Sequence, residues 1–312
     1  MTALFDVIMP VFLVIGFGYA MARAGLFGDG AVDGVMRFAQ NFAVPVLLFR
    51  SIATLDLFAA YDWGLMLSFY IGALTAFAAG FAGARLVFRR PLTDSVAIGF
   101  ACLFSNSLLL GLPITERAYG AEALAGNFAI ISVHSPLLYG LGIGLMEWAR
   151  TRGTGLSGFA LMGQIGRAIL SQPLVIGIAL GFAVNLSPVA PPGFFWSAVG
   201  MMAQSAIPVA LFGLGGVLYR YRPEGDRATI AMICAASLVL HPAITYALGR
   251  FVFGNDTDAL RSSVMTAAMA PGVNAYMFAH LYGVAKRVNA SAVLIATALS
   301  MGTVWVWLQI LP

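Results

Sequence analysis

Two short stretches carry most of the chemistry in this chain. One reads Phe104-Ser105-Asn106-Ser107 and continues to Gly111 and Pro113; the other reads Ala270-Pro271-Gly272-Val273-Asn274. Each sets proline, glycine and asparagine inside an apolar run. Proline deletes a backbone donor and glycine admits unusual dihedrals, so a helix is expected to break at both places, with Pro113 and Pro271 as helix-break residues. Backbone groups freed in lipid must find partners. Ser105, Asn106, Gly272 and Asn274 are therefore the candidates for binding a substrate. A free helix N-terminus carries about half a positive charge, and amides donate hydrogen bonds, so the fitting substrate is an organic anion. Asp6, Glu116 and Glu147 fall near expected helix ends. With no carboxylate at a helix centre, a cationic substrate and a buried Asp/Glu relay are both disfavoured. His134 and His241 stand shortly before Pro136 and Pro242. Each is a candidate for proton coupling, or alternatively an imidazole bonding a carbonyl freed at a kink.

These groups must be held by membrane-spanning elements. Of 312 residues, 60% are hydrophobic and 10% charged, and mean hydropathy is +0.89. A soluble domain has about 25% charged residues, so a water-soluble protein is excluded. A span needs about 20 apolar residues, and at about 31 residues per span with its loop the 312 residues hold ten. They run from Leu4 to Ala22, Val35 to Ala53, Trp63 to Val87, Ser95 to Leu112 and Leu124 to Trp148. The second set runs from Ala168 to Leu186, Phe194 to Leu218, Ala228 to Val252, Ala259 to Leu281 and Ala290 to Leu311. Long runs rich in Leu, Ala, Met and Gly read as helices, not as strands of a barrel. The two cysteines, Cys102 and Cys234, lie in apolar runs and supply neither a disulfide framework nor a metal site.

Thirteen of the 17 basic residues flank the odd-numbered connections, and Arg50, Arg117, Arg250 and Arg261 flank the even ones. The positive-inside rule then places odd loops in the cytoplasm and both termini outside, on the periplasmic face of a bacterial inner membrane. The segment Asn41-Phe-Ala-Val-Pro45-Val-Leu-Leu-Phe49 matches Gln204-Ser-Ala-Ile-Pro208-Val-Ala-Leu-Phe212 at an offset of 163 residues, which also carries Pro10 onto Pro173. Pro45 and Pro208 are further candidate helix breaks. The offset implies a repeat at residues 1–148, a short cytosolic connector at 149–166 and a second repeat at 167–312. Five spans per repeat is an odd number, so the second repeat is inverted relative to the first. Secondary transporters are built this way, with the site between the repeats at discontinuous helices.

At these residues the chain resembles the auxin efflux carrier family, including bacterial members of the malonate- and malate-permease type. The resemblance rests on Pro10 with Gly16-Phe-Gly-Tyr, Asn41-x3-Pro45-x2-Leu48-Phe49, Ser105-Asn106, Gly111-x-Pro113 and Tyr119-Gly120. It continues through Pro208-x2-Leu211-Phe212-x2-Gly215, Pro271-x2-Asn274 and Tyr282-Gly283-Val284. It implies an all-α fold of ten transmembrane helices, shared with bile-acid sodium symporters, whose fourth and ninth helices unwind and cross. Helices 1, 2, 6 and 7 would form a scaffold, with helices 3–5 and 8–10 as a core that moves like an elevator. Asn41 and Gln204 would face Asn106 and Asn274 from the scaffold. The short connector lacks the long hydrophilic segment of the plant carriers, and Ala270-Pro271-Gly272 stands where they have Asn-Pro-Asn.

The expected function is secondary transport of a small carboxylate or dicarboxylate, with H+ or Na+ as the open choice of coupling ion. A sodium-coupled bile-acid-type symporter is the alternative. No cofactor, metal or nucleic-acid partner is expected; the lipid bilayer and the anion are the partners, and a homodimer stays open. An enzyme is disfavoured. Gly155-Leu-Ser157-Gly158 spells the motif of intramembrane serine proteases, but it falls in an arginine-flanked connector away from any membrane histidine.

Overall fold

The structure is a computed structural model that describes residues 4–150, 163, 166, 167, 169–188 and 190–312. Most of the connector, with Arg152 and the Gly155–Gly158 motif, lies outside the described residues. Among the described residues the chain is helical and forms no strand. Helix α1 is Phe5–Arg23, α2 covers 29–53, α3 is Trp63–Val87 and α4 is Leu92–Leu103. Then come α5 at 107–119, α6 at Ala121–Arg150, α7 at Pro173–Asn185 and α8 at Gly193–Arg220. The chain closes with α9 at Arg227–Val252, α10 at Thr257–Ala267, α11 at Val273–Tyr282 and α12 at Lys286–Ile310. Six of these, α1, α3, α6, α8, α9 and α12, are long and apolar enough to cross a membrane. The protein is thus a multi-pass membrane protein by composition and helix length.

Helix starts are set by aspartates the apolar pattern did not reveal. Asp62 accepts from the Leu65 N–H at 2.8 Å, Asp256 from the Ala259 N–H at 2.8 Å, and Asp226 from the Ala228 N–H at 3.1 Å. Each side chain satisfies an amide that the first helical turn leaves unpaired. Helix α2 starts at Asp29 rather than at Val35, because its first turns are too polar to register as an apolar run. Arg220 at the end of α8 pairs with Asp29 and Asp33, fastening that polar start.

Pro45, Pro113 and Pro208 do not interrupt the chain. Pro208 lies inside continuous α8. Pro45 and Pro113 each follow a π-turn ending two residues earlier, as do Pro10 and Pro242. The wide turn, closed by bonds such as Val44 N–H to Ala39 O and Leu112 N–H to Ser107 O, swings the preceding carbonyls clear of the proline ring. The interruptions fall instead at residues 104–106 and 268–272, and only Pro271 lies in one.

Packing sorts the helices into two sets. Helix α1 lies mainly on α8, and α2 on α7 and α8; α3 lies on α4, α9 and α10, and α11 and α9 lie on α12. Small residues set the first group of contacts. A Cβ on Gly18 would collide with the Phe212 carbonyl, and one on Gly181 would come within 2.9 Å of the Phe49 carbonyl. These two contacts, one between α1 and α8 and one between α7 and α2, are related by the same offset of 163 found in the sequence. Glycine permits this approach of backbone to backbone, as small residues do generally in membrane helices.

Candidate functional site

The two interruptions meet. Ser105 and Pro271 form an isolated antiparallel bridge. The Asn106 N–H donates to the Ala270 carbonyl at 2.8 Å, and the Gly272 N–H donates to the Phe104 carbonyl at 2.9 Å. Segments unwound in an apolar interior must pair their backbone groups, and these two pair with each other. Helices α5 and α11 start at the next residues, with Asn106 and Gly272 as their N-caps. Neither cap residue bonds its own helix through a side chain. Two helix N-termini therefore abut, and their first amides lack intrahelical acceptors.

The bridge also explains the asparagine register. Asn106 faces Gly272, not Asn274, because the crossover residues are 166 apart while Tyr119 and Tyr282 at the helix ends are 163 apart. Helix α5, which contains a π-turn, is three residues longer than α11 and absorbs the difference. Gly120 and Gly283 then end both helices at positive φ, 90° and 75°. A Cβ on Gly272 would make only ordinary contact with Asn106, at 3.6 Å, so space does not require glycine there.

A cavity of about 290 Å³ lies at the crossing. Asn41, Ser105, Asn106, Gly272, Asn274 and His134 all line it. Gln204 and His241 do not. Helix α8 turns Ala203 and Ala206 inward against its neighbours, which leaves Gln204 on the exposed side. His241 is fully buried behind Phe69, 5.1 Å from its ring, while His134 packs on the same ring at 5.7 Å and edge-on to Phe104 at 4.6 Å. Neither ring nitrogen of His134 has a hydrogen-bond partner among the described residues. The Ser105 and Ser107 hydroxyls bond each other at 2.9 Å. Among the described residues no carboxylate, ammonium or guanidinium lines the space; its apolar wall includes Val44, Leu48, Ile131 and Met277.

Sequence reasoning missed Gln40, Ser107, Ser135, Tyr139 and Gln172, which also line the cavity. One of these, Gln172, had a signal in the sequence, and Gln40 is explained by the structure. The π-turn Ala39–Ala43 holds both Gln40 and Asn41 and brings the two amides to the cavity. Gln172 is the extended N-cap just before Pro173, the residue that the offset pairs with Pro10.

Two abutting helix ends thus border a small cavity lined by amides, hydroxyls and apolar side chains, inside an apolar helical protein. A family model described as membrane transport protein matches residues 3–155 and 157–308, and the chain belongs to that family, which includes the auxin efflux carriers. The chain is 24% identical over 304 residues to the "Putative malonate transporter" of Rhizobium meliloti, covering 97% of this chain and 94% of that protein. It is 20% identical over 331 residues to auxin efflux carrier component 5 of Arabidopsis thaliana, covering 95% and 93%. It is also 25% identical over 334 residues to the lysosomal cholesterol signaling protein of Mus musculus; that match covers all of this chain but 38% of the mouse protein. Family and relatives make this a transporter rather than an enzyme.

Proposed function

We propose that the protein is a secondary transporter for a small organic anion, a carboxylate or dicarboxylate, bound where α5 and α11 begin. The observation that carries this reading is the meeting of two helix N-termini at a cavity with amides and hydroxyls and no carboxylate. Each N-terminus stabilises a nearby negative charge by about 0.3–1 kcal/mol at an exposed site and up to about 2 kcal/mol when partly buried. At about 290 Å³ the cavity is at the small end of ligand pockets, which favours a compact anion over a steroid-sized one. The name of the Rhizobium meliloti relative points the same way.

In this reading the interrupted pairs α4/α5 and α10/α11 are the fourth and ninth of ten spans, arranged as two inverted five-span repeats. The paired contacts Gly18–Phe212 and Gly181–Phe49 support the repeat. The packing of α1, α2, α7 and α8 as one set supports a scaffold against which the remaining helices move. The arginine distribution supports both termini on the outer face of an inner membrane. His134, at the cavity wall, is the candidate for coupling to H+; Na+ is the other candidate ion.

The test is uptake of labelled malonate and related mono- and dicarboxylates into proteoliposomes, under imposed proton or sodium gradients. N106A and N274A should each lower uptake at least tenfold, while melting as the parent does, because the crossover bonds of Asn106 are made by its backbone. Full activity in both variants would refute the site.

A further inference from the structure

A second pair of cavities lies away from the substrate site, where α9 and α12 begin. One, of about 450 Å³, is polar: Arg90, Asp226, Lys286 and Arg287 line it. The other, of about 630 Å³, is an apolar groove between the two helices, lined by Ile230, Cys234, Ala235, Leu238, Ile295 and Leu299 among others, with Arg227 at its mouth. Gly225 lines both, so the two adjoin.

The polar end is a built structure. Ser291 on α12 accepts from the Glu224 N–H at 2.8 Å and is 3.0 Å from the Arg222 carbonyl, which pins the 221–226 loop to α12. Arg90 pairs with Asp226 at 3.3 Å, and Arg287 with Glu224 at 3.7 Å. Arg227 and Lys286 have no ion pair among the described residues. Acids therefore offset the other two cations and leave a positive mouth. Below it the groove opens sideways, since Val239 and Leu299 on its walls are 55% and 51% exposed. From Arg227 to Val239 the helix rises about 18 Å at 1.5 Å per residue. That is close to one leaflet, half of a hydrocarbon core of about 30 Å.

A cationic mouth over an apolar slot one leaflet deep has the shape and charge of one amphiphile. We propose that this cleft binds an anionic phospholipid of the leaflet that faces the basic loops, with its phosphate between Arg227 and Lys286 and one acyl chain along Cys234, Leu238 and Ile295. Juxtamembrane cations attract anionic lipid, so the mouth selects headgroup charge and the groove retains the chain.

Purified full-length protein, delipidated in neutral detergent, would be titrated with phosphatidylglycerol or phosphatidylcholine of identical chains, and the melting temperature read. Phosphatidylglycerol should raise it by several degrees more than phosphatidylcholine. In R227Q/K286Q that difference should vanish, and in R117Q/R261Q, on the other face, it should persist. A235F, which fills the groove and leaves the cations in place, should also abolish the response. Inorganic phosphate alone should not reproduce it. Equal shifts for the two lipids, a preference that survives in R227Q/K286Q or in A235F, or a phosphate effect as large as the lipid's would each overturn the proposal.

Discussion

His134 is buried against two aromatic rings with both nitrogens unpartnered, yet it borders the cavity. Among the described residues no charged side chain lines that cavity, and His241, which also packs on Phe69, does not line it. In the proposed cycle an anion entering the cavity would stand beside this imidazole, which is what makes it the candidate for coupling to H+. H134Q retains a hydrogen-bonding side chain and loses titration. Its uptake is expected to become insensitive to an imposed pH gradient, and H241Q should keep the parent's response; a proton-driven H134Q would show that coupling lies elsewhere. Asp226 is a titrating group outside the spans, held below the usual carboxylate range by its Thr229 hydrogen bond first, then by the Ala228 N–H and Arg90. Its contribution is complete above the unfolded carboxylate pKa and fades only as pH falls through the lower folded value, so this cap is intact throughout a near-neutral uptake profile. At this scale the sequence marked Ser105, Asn106, Gly272 and Asn274 through their company of glycine and proline. It misjudged Gln204, because a matched segment transfers residue type but not the rotation of the helix that carries it.

Among elements, the close contacts of α1 with α8 and of α7 with α2 leave no volume for a side chain. G18V places a methyl group on the Phe212 carbonyl and should destabilise by about 1–3 kcal/mol, the usual result of overpacking. G16V is the control, since nothing lies within 4 Å of a Cβ there. Thermal unfolding in detergent should separate the two, and an unchanged melting temperature for G18V would contradict the packing described. Six elements were legible because lipid forces long apolar runs, and α1, α3, α6, α8, α9 and α12 end close to the expected spans; the polar first turns of α2, the late start of α7 and the extension of α5 from Leu112 to Tyr119 were not. The helix breaks were legible as regions only. Proline suggested their place, but long-range pairing between residues 104–106 and 270–272 decides where helix stops, and no local pattern encodes that pairing. The π-turns were invisible for the converse reason: they absorb proline without leaving a compositional mark.

For the whole molecule, orientation follows from where the cations lie along the chain. Thirteen of 17 basic residues flank one set of connections. A phosphatase fused after Pro312, active only outside the cytoplasm, is expected to be active, and a fluorescent protein that matures only inside is expected to stay dark. The opposite pattern would reverse the assignment of every loop, and with it the leaflet of the lipid cleft.

The bridge between Ser105 and Pro271 is closed by main-chain atoms alone, through the amides of Asn106 and Gly272. Side chains at the crossing can therefore change without untying it. A substitution at Asn106 that keeps the main chain can thus change the surface presented to the cavity while the joint stays tied.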